Sequence, residues 1–238
     1  MMSNGIPILR SGNARQSQRI SILWTGHSVH GRIELEDGGV TEIVEEMPHV
    51  LPECDIESWA ETLILVDESD REVGHASRAR CHEGSGLLHR AFSLFIFNDR
   101  GELLVQQRSA AKRLWPLYWS NSCCSHPRRA EQTDGAAHRR LFEELGLKCP
   151  LHFLFKFKYQ AQFDGTGAEH ELCSVYIGRS AAPVHADLGE VAAWRWVAPD
   201  TLDEQMRLAS ARFTPWFTLE WQRIRREHQS AVGALQGR

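Results

Sequence analysis

Two thiols and an imidazole lie close together in the stretch 115–127, which also carries tryptophan and tyrosine side chains. Cys123, Cys124 and His126 are residue types that exchange protons or bind metal ions. Exposed tryptophan and free cysteine are liabilities on an open loop, so the stretch is a candidate reactive pocket. The alternative is that the aromatic residues fill a core, that both cysteines are small buried hydrophobes, and that His126 starts a turn before Pro127.

Two carboxylates flank a histidine in the triplet Glu169-His170-Glu171. Side chains in a strand alternate between faces, so Glu169 and Glu171 would share one face and His170 would take the other. Close carboxylates repel each other unless one is protonated or a cation lies between them. The triplet therefore indicates a proton-transfer or metal site. The alternative is a solvated strand end after the loop 164–167.

A second acidic pair, Glu143 and Glu144, falls in the last turn of a predicted helix, where the helix dipole disfavours negative charge. A cation is therefore expected beside the pair. Arg139 and Arg140 precede it by about one turn and would form an ordinary ladder of surface ion pairs. The functional alternative is a divalent cation, because Mg²⁺ commonly binds one or two carboxylates together with substrate phosphate oxygens.

Basic residues and further histidines surround these groups in the chain. Arg108 has a planar fork and Lys112 a point charge, and both suit phosphate oxygens, although a solvated face is the usual position for such residues. His82 and His89 fit no single-face strand spacing, so a shared metal ion would require a folded loop that leads into a strand. By spacing alone, both are expected to be surface histidines.

The strands that must position these residues are predicted by the hydrophobic pattern. A hairpin is expected around the turn 98–101, because apolar and aromatic runs flank a turn that contains glycine. Other apolar runs are bounded by turn residues. The predicted strands cover 62–66, 91–97, 102–107, 151–162, 169–178 and 192–197.

A helix is predicted after these central motifs, because the apolar residues Ala137, Leu141 and Leu145 recur four apart on one face. Thr133 or Asp134 would cap its start, and Gly146 would end it in a left-handed conformation. Two further helices are expected over 199–208 and 215–227, the second with Trp216, Leu219 and Trp221 towards the core. Strands and helices do not alternate regularly, which favours an α+β fold over a doubly wound sheet.

Composition excludes several classes of protein. The chain is 24% charged and 42% hydrophobic, as in ordinary globular proteins, and its net charge of −4 gives no nucleic-acid signature. No apolar run approaches the roughly 18 residues that cross a bilayer, and residues 1–15 lack a signal-peptide pattern. The six cysteines have no secretory context and are expected to be reduced. We therefore expect a cytoplasmic protein that binds neither nucleic acid nor membrane.

The separate motifs also occur together in one order. They are His82-x6-His89, Arg108-x3-Lys112-x2-Trp115-Pro116, Asn121-Ser122-Cys123-Cys124-Ser125-His126-Pro127, Arg139-Arg140-x3-Glu144-Leu145-Gly146, Tyr159, Glu169-His170-Glu171 and Pro215-Trp216. In this order and spacing the chain resembles the type I isopentenyl-diphosphate isomerases of the Nudix superfamily, over roughly residues 60–225. The resemblance implies an α+β fold with a Nudix-like mixed β-sheet core flanked by helices.

Part of the Nudix box is retained, in the residues Glu131, Glu143, Glu144 and Gly146. Arg140 stands where the hydrolases have a glutamate, and Ser125 stands where the box opens with glycine. A carboxylate of the hydrolytic metal cluster is thus missing, which favours the isomerase branch. The alternative functions are a Nudix-type diphosphate hydrolase, which would need metal-activated water, and a catalytically silent Nudix-like binding module.

The resemblance implies that the enzyme interconverts isopentenyl diphosphate and dimethylallyl diphosphate in isoprenoid biosynthesis. This reaction adds a proton at C4 and removes one at C2, so it needs an acid and a base. By the family pattern Cys124 and Glu171 form this pair, in an order that the sequence leaves open, and Tyr159 orients or delivers the proton. Trp216 would favour the developing cation through its π face.

The resemblance also implies the ligands and the domain organisation. A divalent cation (Zn²⁺, Mn²⁺ or Mg²⁺) would bind His82, His89, His126, Glu169 and Glu171. A second cation, Mg²⁺, would bridge the substrate diphosphate to Glu144 and to the backbone carbonyl of Cys124. The diphosphate itself would contact Arg108, Lys112, Arg140 and Arg78. The expected organisation is an N-terminal extension of unknown role (1–58), a Nudix-type isomerase domain (59–230) and a C-terminal tail (231–238).

Overall fold

The structure, a computed structural model, describes residues 19–25, 28–34, 40–46 and 62–235. The chain divides into two compact units, 1–54 and 55–238. The first unit contains an antiparallel sheet of β1 (Arg19–Thr25), β2 (Ser28–Glu34) and β3 (Val40–Glu46), in that order. The expected boundary between residues 58 and 59 lies outside the described residues.

The second unit carries the remaining elements. Its strands are β4 (Thr62–Val66), β5 (Glu72–Ser77), β6 (His89–Phe97), β7 (Leu103–Arg108), β8 (Trp119–Ser120), β9 (Cys123–Ser125), β10 (Leu151–Phe163), β11 (Gly167–Arg179) and β12 (Val191–Val197). Its helices are α1 (Arg78–Cys81), α2 (Thr133–Leu145), α3 (Pro199–Leu208), α4 (Pro215–Glu227) and α5 (Gln229–Leu235). The predicted strands and helices are confirmed to within two residues at each end, whereas the pattern predicts none of the short elements β5, β8, β9, α1 and α5. None of the described helices is long and apolar enough to cross a membrane.

Strand β6 is the centre of a nine-stranded sheet formed within residues 62–235. The main path of this sheet runs β10-β11-β6-β4-β5, with β11 parallel to β6 and the other neighbours antiparallel. On the edge opposite β11, β6 pairs with β4, β9 and β7 in turn. A strand with neighbours on both edges and cover on both faces needs an almost continuous apolar run, which β6 has.

The predicted hairpin turn after β6 is present, but its two strands pair only next to the turn. The Asn98 side chain accepts hydrogen bonds from the backbone N–H groups of Arg100 and Glu102, at 2.9 and 3.0 Å, and Phe97 pairs with Leu103. Beyond that pair β7 leaves β6 and pairs with β8, while β12 pairs with β7 from Leu103 to Arg108. The reason is that β9 occupies the same edge of β6.

Alternate side chains of β6 enter two cores. Phe95 belongs to the core that α3 and α4 cover, and Leu94 belongs to the core that α2 covers. The predicted apolar face of α2, with Ala137, Leu141 and Leu145, is fully buried in the second core. Helices thus flank a mixed sheet, which confirms the predicted α+β fold.

The start of α2 differs from the prediction. Its N-cap is Gln132, whose side chain makes no capping hydrogen bond, so neither Thr133 nor Asp134 is the cap. Asp134 lies in the first turn and accepts a 2.5 Å hydrogen bond from the Tyr176 hydroxyl. Gly146 ends the helix in the left-handed conformation, with φ of 67°, as predicted.

Helix α4 turns a glutamate inward where a leucine was expected. Leu219 is 50% exposed, so its predicted position in the core is wrong, whereas Glu220 is fully buried. Positions 219 and 220 both share a helix face with Trp216, because a helical turn contains about 3.6 residues. The buried face of α4 consists of Trp216, Phe217, Glu220, Trp221 and Ile224.

Candidate active site

A cavity of about 430 Å³ gathers most of the residues singled out in the sequence. Its walls include Arg78, His82, Arg108, Lys112, Cys124, His126, Arg140, Tyr159, Glu169, Glu171 and Trp216. His89 and Glu144 do not line it and are almost completely buried. The candidate acid and base, the candidate metal ligands and the candidate phosphate-binding cations therefore converge from distant parts of the chain.

Five side chains form one potential metal-binding group. His82, His89, His126, Glu169 and Glu171 each offer one ligand atom, and these atoms lie within 4.8 Å of one another. The parallel register of β11 and β6 places Glu171 beside His89. His82 comes close because Gly167 lacks a side chain: a Cβ there would lie 2.2 Å from the His82 carbonyl oxygen. The expectation from spacing alone that His82 and His89 are surface histidines is wrong, because they are 7% and 0% exposed.

Backbone carbonyl groups orient two of the three imidazoles. The carbonyls of Arg78 and Leu87 lie 2.7 Å from Nδ1 of His82 and Nδ1 of His89, respectively. A carbonyl can only accept, so both Nδ1 atoms carry hydrogen. Nε2 of His82 lies 2.8 Å from the Glu169 carboxylate, which opposes the effect of burial and raises the pKa of His82. Nε2 of His89 is buried without a hydrogen-bond partner among the described residues. Imidazoles held in this way beside two carboxylates fit a divalent cation.

The two carboxylates of this group differ in charge state. Burial raises the pKa of Glu171 well above its usual value, and the charge of Glu169 adds to the effect. Burial would also raise the pKa of Glu169, but the 2.8 Å contact with Nε2 of His82 outweighs it and lowers the pKa. Burial and neighbouring histidines lower the pKa of His126 and of His89, to about 4 for His89. Both imidazoles are therefore neutral and available as ligands.

The two adjacent cysteines point to opposite sides of β9. Cys123 is fully buried in the core beneath α2, whereas Cys124 lines the cavity. Burial raises the pKa of Cys124 to about 12, although the nearby Arg108 opposes the shift, so the thiol is protonated. Arg108 approaches Cys124 Sγ at 3.8 Å and is itself fixed by the carbonyl oxygens of Leu114 and Trp115.

The chain is similar to several known proteins. The NUDIX domain family matches residues 87–217. An isopentenyl-diphosphate Delta-isomerase of Burkholderia multivorans is 45% identical over 157 residues, which cover 66% of this chain and 89% of that protein. Isopentenyl-diphosphate Delta-isomerase 1 of Photorhabdus laumondii is 41% identical over 170 residues, which cover 71% of this chain and 97% of that protein. The chain belongs to the isopentenyl-diphosphate Delta-isomerases of the Nudix superfamily.

A solved structure supports the fold of this family member. The crystal structure of DR0079 from Deinococcus radiodurans aligns with a TM-score of 0.53 at 25% identity and covers 65% of this chain and 92% of that one. The mixed sheet with its flanking helices is therefore Nudix-like, as the sequence implied.

In this isomerase-family chain, α2 carries the altered Nudix box. Arg140 contacts Glu144 at 2.5 Å and Glu143 at 2.9 Å, and Arg139 contacts Glu143 at 3.0 Å and Glu131 at 2.7 Å. The ion-pair ladder expected as one alternative is thus present. It is not an ordinary surface ladder, because Glu144 is only 3% exposed and Arg140 lines the cavity.

Two charged residues of the cavity region escaped prediction, Arg113 in the cavity wall and Glu190 beside it. Glu190 contacts both Lys112 and Arg140, two of the expected diphosphate-binding cations. It precedes β12 in a loop without any periodic pattern, and its partners lie far away in the chain. No local signal in the sequence identifies it. The cavity wall also includes Leu114, Ser125 and Gly189, which were not predicted.

Proposed function

We propose that this chain interconverts isopentenyl diphosphate and dimethylallyl diphosphate. The observation that carries the proposal is the convergence of Cys124 and Glu171 on one cavity, from the two strands that flank β6. The reaction needs one group that delivers a proton and one that removes a proton, at carbons on either side of C3. The membership of the isomerase family supports the same assignment.

In this proposal Cys124 and Glu171 are the catalytic pair. The forward reaction adds a proton at C4 and removes one from C2, and the reverse reaction exchanges the two roles because it passes through the same transition state. Tyr159 orients the carboxyl group of Glu171, to which its hydroxyl donates a 2.7 Å hydrogen bond. Trp216 forms an aromatic wall where the positive charge at C3 develops.

We also propose that the five-residue group of histidines and glutamates binds a divalent cation. The neutral imidazoles of His89 and His126, the buried Nε2 of His89 and the paired carboxylates suit Zn²⁺, Mn²⁺ or Mg²⁺. A bound cation would keep both carboxylates ionised and hold Glu171 in one orientation. Elemental analysis of the purified protein would identify the native metal.

The diphosphate would bind at the cationic side of the cavity. Arg108, Lys112, Arg140 and Arg78 line this side, and Arg108 also lies 5.3 Å from the ring centroid of Trp216. We propose Glu144, with the Cys124 carbonyl, as a ligand of a diphosphate-bound Mg²⁺. Both carboxylate oxygens of Glu144 already contact protein groups, Arg140 at 2.5 Å and Gln106 at 3.3 Å.

Hydrolysis of a diphosphate is the alternative activity. It would require a cluster of carboxylates that binds metal and activates water. Arg140 stands in that cluster and pairs with Glu143, Glu144 and Glu190, so the helix presents neutralised carboxylates there. This contact pattern favours isomerisation.

An assay in D₂O separates these activities. Purified protein is incubated with isopentenyl diphosphate in D₂O with Mg²⁺ and Mn²⁺. The proposal predicts dimethylallyl diphosphate that carries deuterium in the methyl group formed at C4. Release of phosphate or diphosphate without the isomer would instead identify a hydrolase. A folded protein without any turnover would identify a binding module.

The proposal includes a cytoplasmic location. The five cysteines within residues 62–235 are all free thiols, which suits a reducing compartment. Such a setting is also required for a catalytic thiol, because oxidation of Cys124 would remove the exchangeable proton.

A further inference from the structure

Glu190 connects two cations that come from different elements. One carboxylate oxygen pairs with Nζ of Lys112, in the loop after β7, and the other lies 3.1 Å from Nη2 of Arg140, on α2. Both cations line the cavity, and Gly189, next to Glu190, lines it as well. A single carboxylate thus sets the separation between two cationic groups at the cavity wall.

The backbone fixes Glu190 from both sides. Its carbonyl oxygen accepts a 2.9 Å hydrogen bond from the N–H of Ser109, and its own N–H donates to the carbonyl of Asp187 at 3.0 Å. The N–H of Asp187 donates in turn to the Glu144 carbonyl at 2.9 Å. The loop that carries Glu190 is therefore joined both to the segment that leads to Lys112 and to the end of α2.

The position of the Lys112 side chain depends on Glu190 more than the position of the Arg140 side chain does. Arg140 has two further carboxylate partners, Glu143 and Glu144, whereas the ammonium group of Lys112 pairs with no other carboxylate within residues 62–235. Burial would raise the pKa of Glu190, but the hydrogen bond from Lys112 outweighs it and lowers the pKa to about 2. The carboxylate is thus charged at any pH used in an assay.

We propose that Glu190 is a positioning residue for the diphosphate group, which holds the Lys112 ammonium and the Arg140 guanidinium at a fixed separation before the substrate arrives. The inference rests on the proposed function in one respect, the assignment of these cations to the diphosphate. An ammonium has three donors and a guanidinium five, so each keeps donors for phosphate oxygens while it contacts Glu190. A preorganised lysine loses less side-chain entropy on binding than a mobile one.

The sign of the effect distinguishes positioning from simple electrostatics. Removal of a negative charge near an anion site should strengthen anion binding if only long-range charge mattered. Loss of positioning should weaken it, by roughly 3- to 10-fold for one long side chain that becomes mobile. The substitution Glu190→Gln keeps the size of the side chain and removes its charge. The two accounts therefore predict opposite changes.

The test is a double-mutant cycle with inorganic diphosphate as the probe. Binding in the presence of Mg²⁺ is measured calorimetrically for the full chain and for Glu190→Gln, Lys112→Ala and the double variant. We expect Glu190→Gln to raise Kd roughly 3- to 10-fold in the wild-type background and to have little effect in the Lys112→Ala background. Tighter or unchanged binding by Glu190→Gln, or an equal loss in both backgrounds, would overturn the proposal. So would a wild-type protein that does not bind the probe.

Two further variants control the experiment. Asp99→Asn removes one negative charge from an exposed ion pair with Arg179, outside the cavity, and should leave Kd unchanged. Glu190→Asp keeps the charge and shortens the reach, so it should weaken binding if position matters and preserve it if charge alone matters. The D₂O assay on the same proteins separates the two claims. Normal turnover with unchanged probe binding in Glu190→Gln contradicts positioning only, whereas an intact cycle without turnover contradicts the isomerase function only.

Discussion

Tyr159 and Glu171 lie directly opposite each other on β10 and β11, and the tyrosine hydroxyl donates a 2.7 Å hydrogen bond to Oε2 of the glutamate. The other carboxylate oxygen, Oε1, is 2.9 Å from Nε2 of His126. One carboxyl group is therefore shared between the proposed acid–base machinery and the proposed metal group. Its orientation is fixed from both sides, which is what a proton transfer to a defined carbon requires.

Tyr159→Phe should lower kcat about 10- to 100-fold and change KM little, because it removes only the hydroxyl that orients Glu171. The ring would keep its stacking with Phe157, at a centroid distance of 5.4 Å. Steady-state kinetics of the isomerase reaction measure the effect. Tyr118→Phe removes a hydroxyl outside the acid–base pair and should behave as wild type. An equal loss in both variants would argue against the assigned role of Tyr159.

Cys124→Ala should abolish most isomerase activity, by about a thousandfold or more, and leave the fold intact, because Cys124 faces the cavity. The adjacent residue provides the matched control. Cys123→Ala should keep activity and lower the free energy of unfolding by about 1 kcal/mol, since its side chain is fully buried in the core beneath α2. Kinetics and denaturant unfolding test both. Loss of activity in Cys123→Ala with retained activity in Cys124→Ala would show that Cys123, and not Cys124, is the reactive thiol.

His89→Ala should reduce the bound divalent metal, as measured by elemental analysis, because it deletes a buried ligand with its Nε2 directed into the group. Added metal should raise the Tm of the wild-type protein and have a much smaller effect on the variant. His170→Ala is the control, since His170 points to the other face of β11 and contacts the Gly86 carbonyl. Full metal content in His89→Ala would exclude this residue as a ligand.

The hydrophobic pattern predicts the long elements well, because each of them has a local cause. The bounds of β4, α3 and α4 agree with the prediction residue for residue, and Gly146 ends α2 because glycine tolerates positive φ. The helix cap is less predictable, since Thr133 and Asp134 are favoured N-cap residue types, whereas the observed N-cap, Gln132, makes no side-chain capping hydrogen bond.

The site follows a different rule, because its contacts join residues far apart in the chain. Spacing alone misjudged His82 and His89, whose proximity depends on the close approach of Gly167 to the His82 carbonyl. The resemblance to a family predicted both residues as candidate metal ligands, whereas the local sequence pattern did not. Glu190 illustrates the remaining gap: its two partners lie on other elements, and no periodic signal in the sequence connects an acidic loop residue to them.

Helix α4 shows the limit of amphipathic patterns most directly. Positions three and four residues after Trp216 are equally compatible with a buried face, and hydrophobicity favours Leu219. The fold buries Glu220 instead, beside the Cys173 thiol at 3.5 Å, and leaves one of its carboxylate oxygens without a hydrogen-bond partner among the described residues. Such a buried carboxyl group should affect stability in a pH-dependent way.

Glu220→Gln should stabilise the protein more at high pH than at low pH. Burial raises the pKa of Glu220 to about 8, although hydrogen bonds with Ser93 and Cys173 oppose the shift. The folded state therefore holds a proton that the unfolded state releases above its pKa of about 4.3. The loss of unfolding free energy that Glu220 causes in the wild-type protein is absent below that pH. It grows as the pH rises and levels off above about 8. At 1.36 kcal/mol per pKa unit, the stability gain of Glu220→Gln over wild type should grow by about 3 kcal/mol between pH 5 and pH 8. Denaturant unfolding at the two pH values measures this difference.

Glu227→Gln is the control on the same helix. Glu227 is exposed, and its ion pairs with Arg223 and Arg226 lower its pKa. The pH dependence of the stability change in Glu227→Gln should therefore be small and opposite in sign. A gain for Glu220→Gln that is the same at both pH values would show that Glu220 keeps an ordinary pKa in the fold.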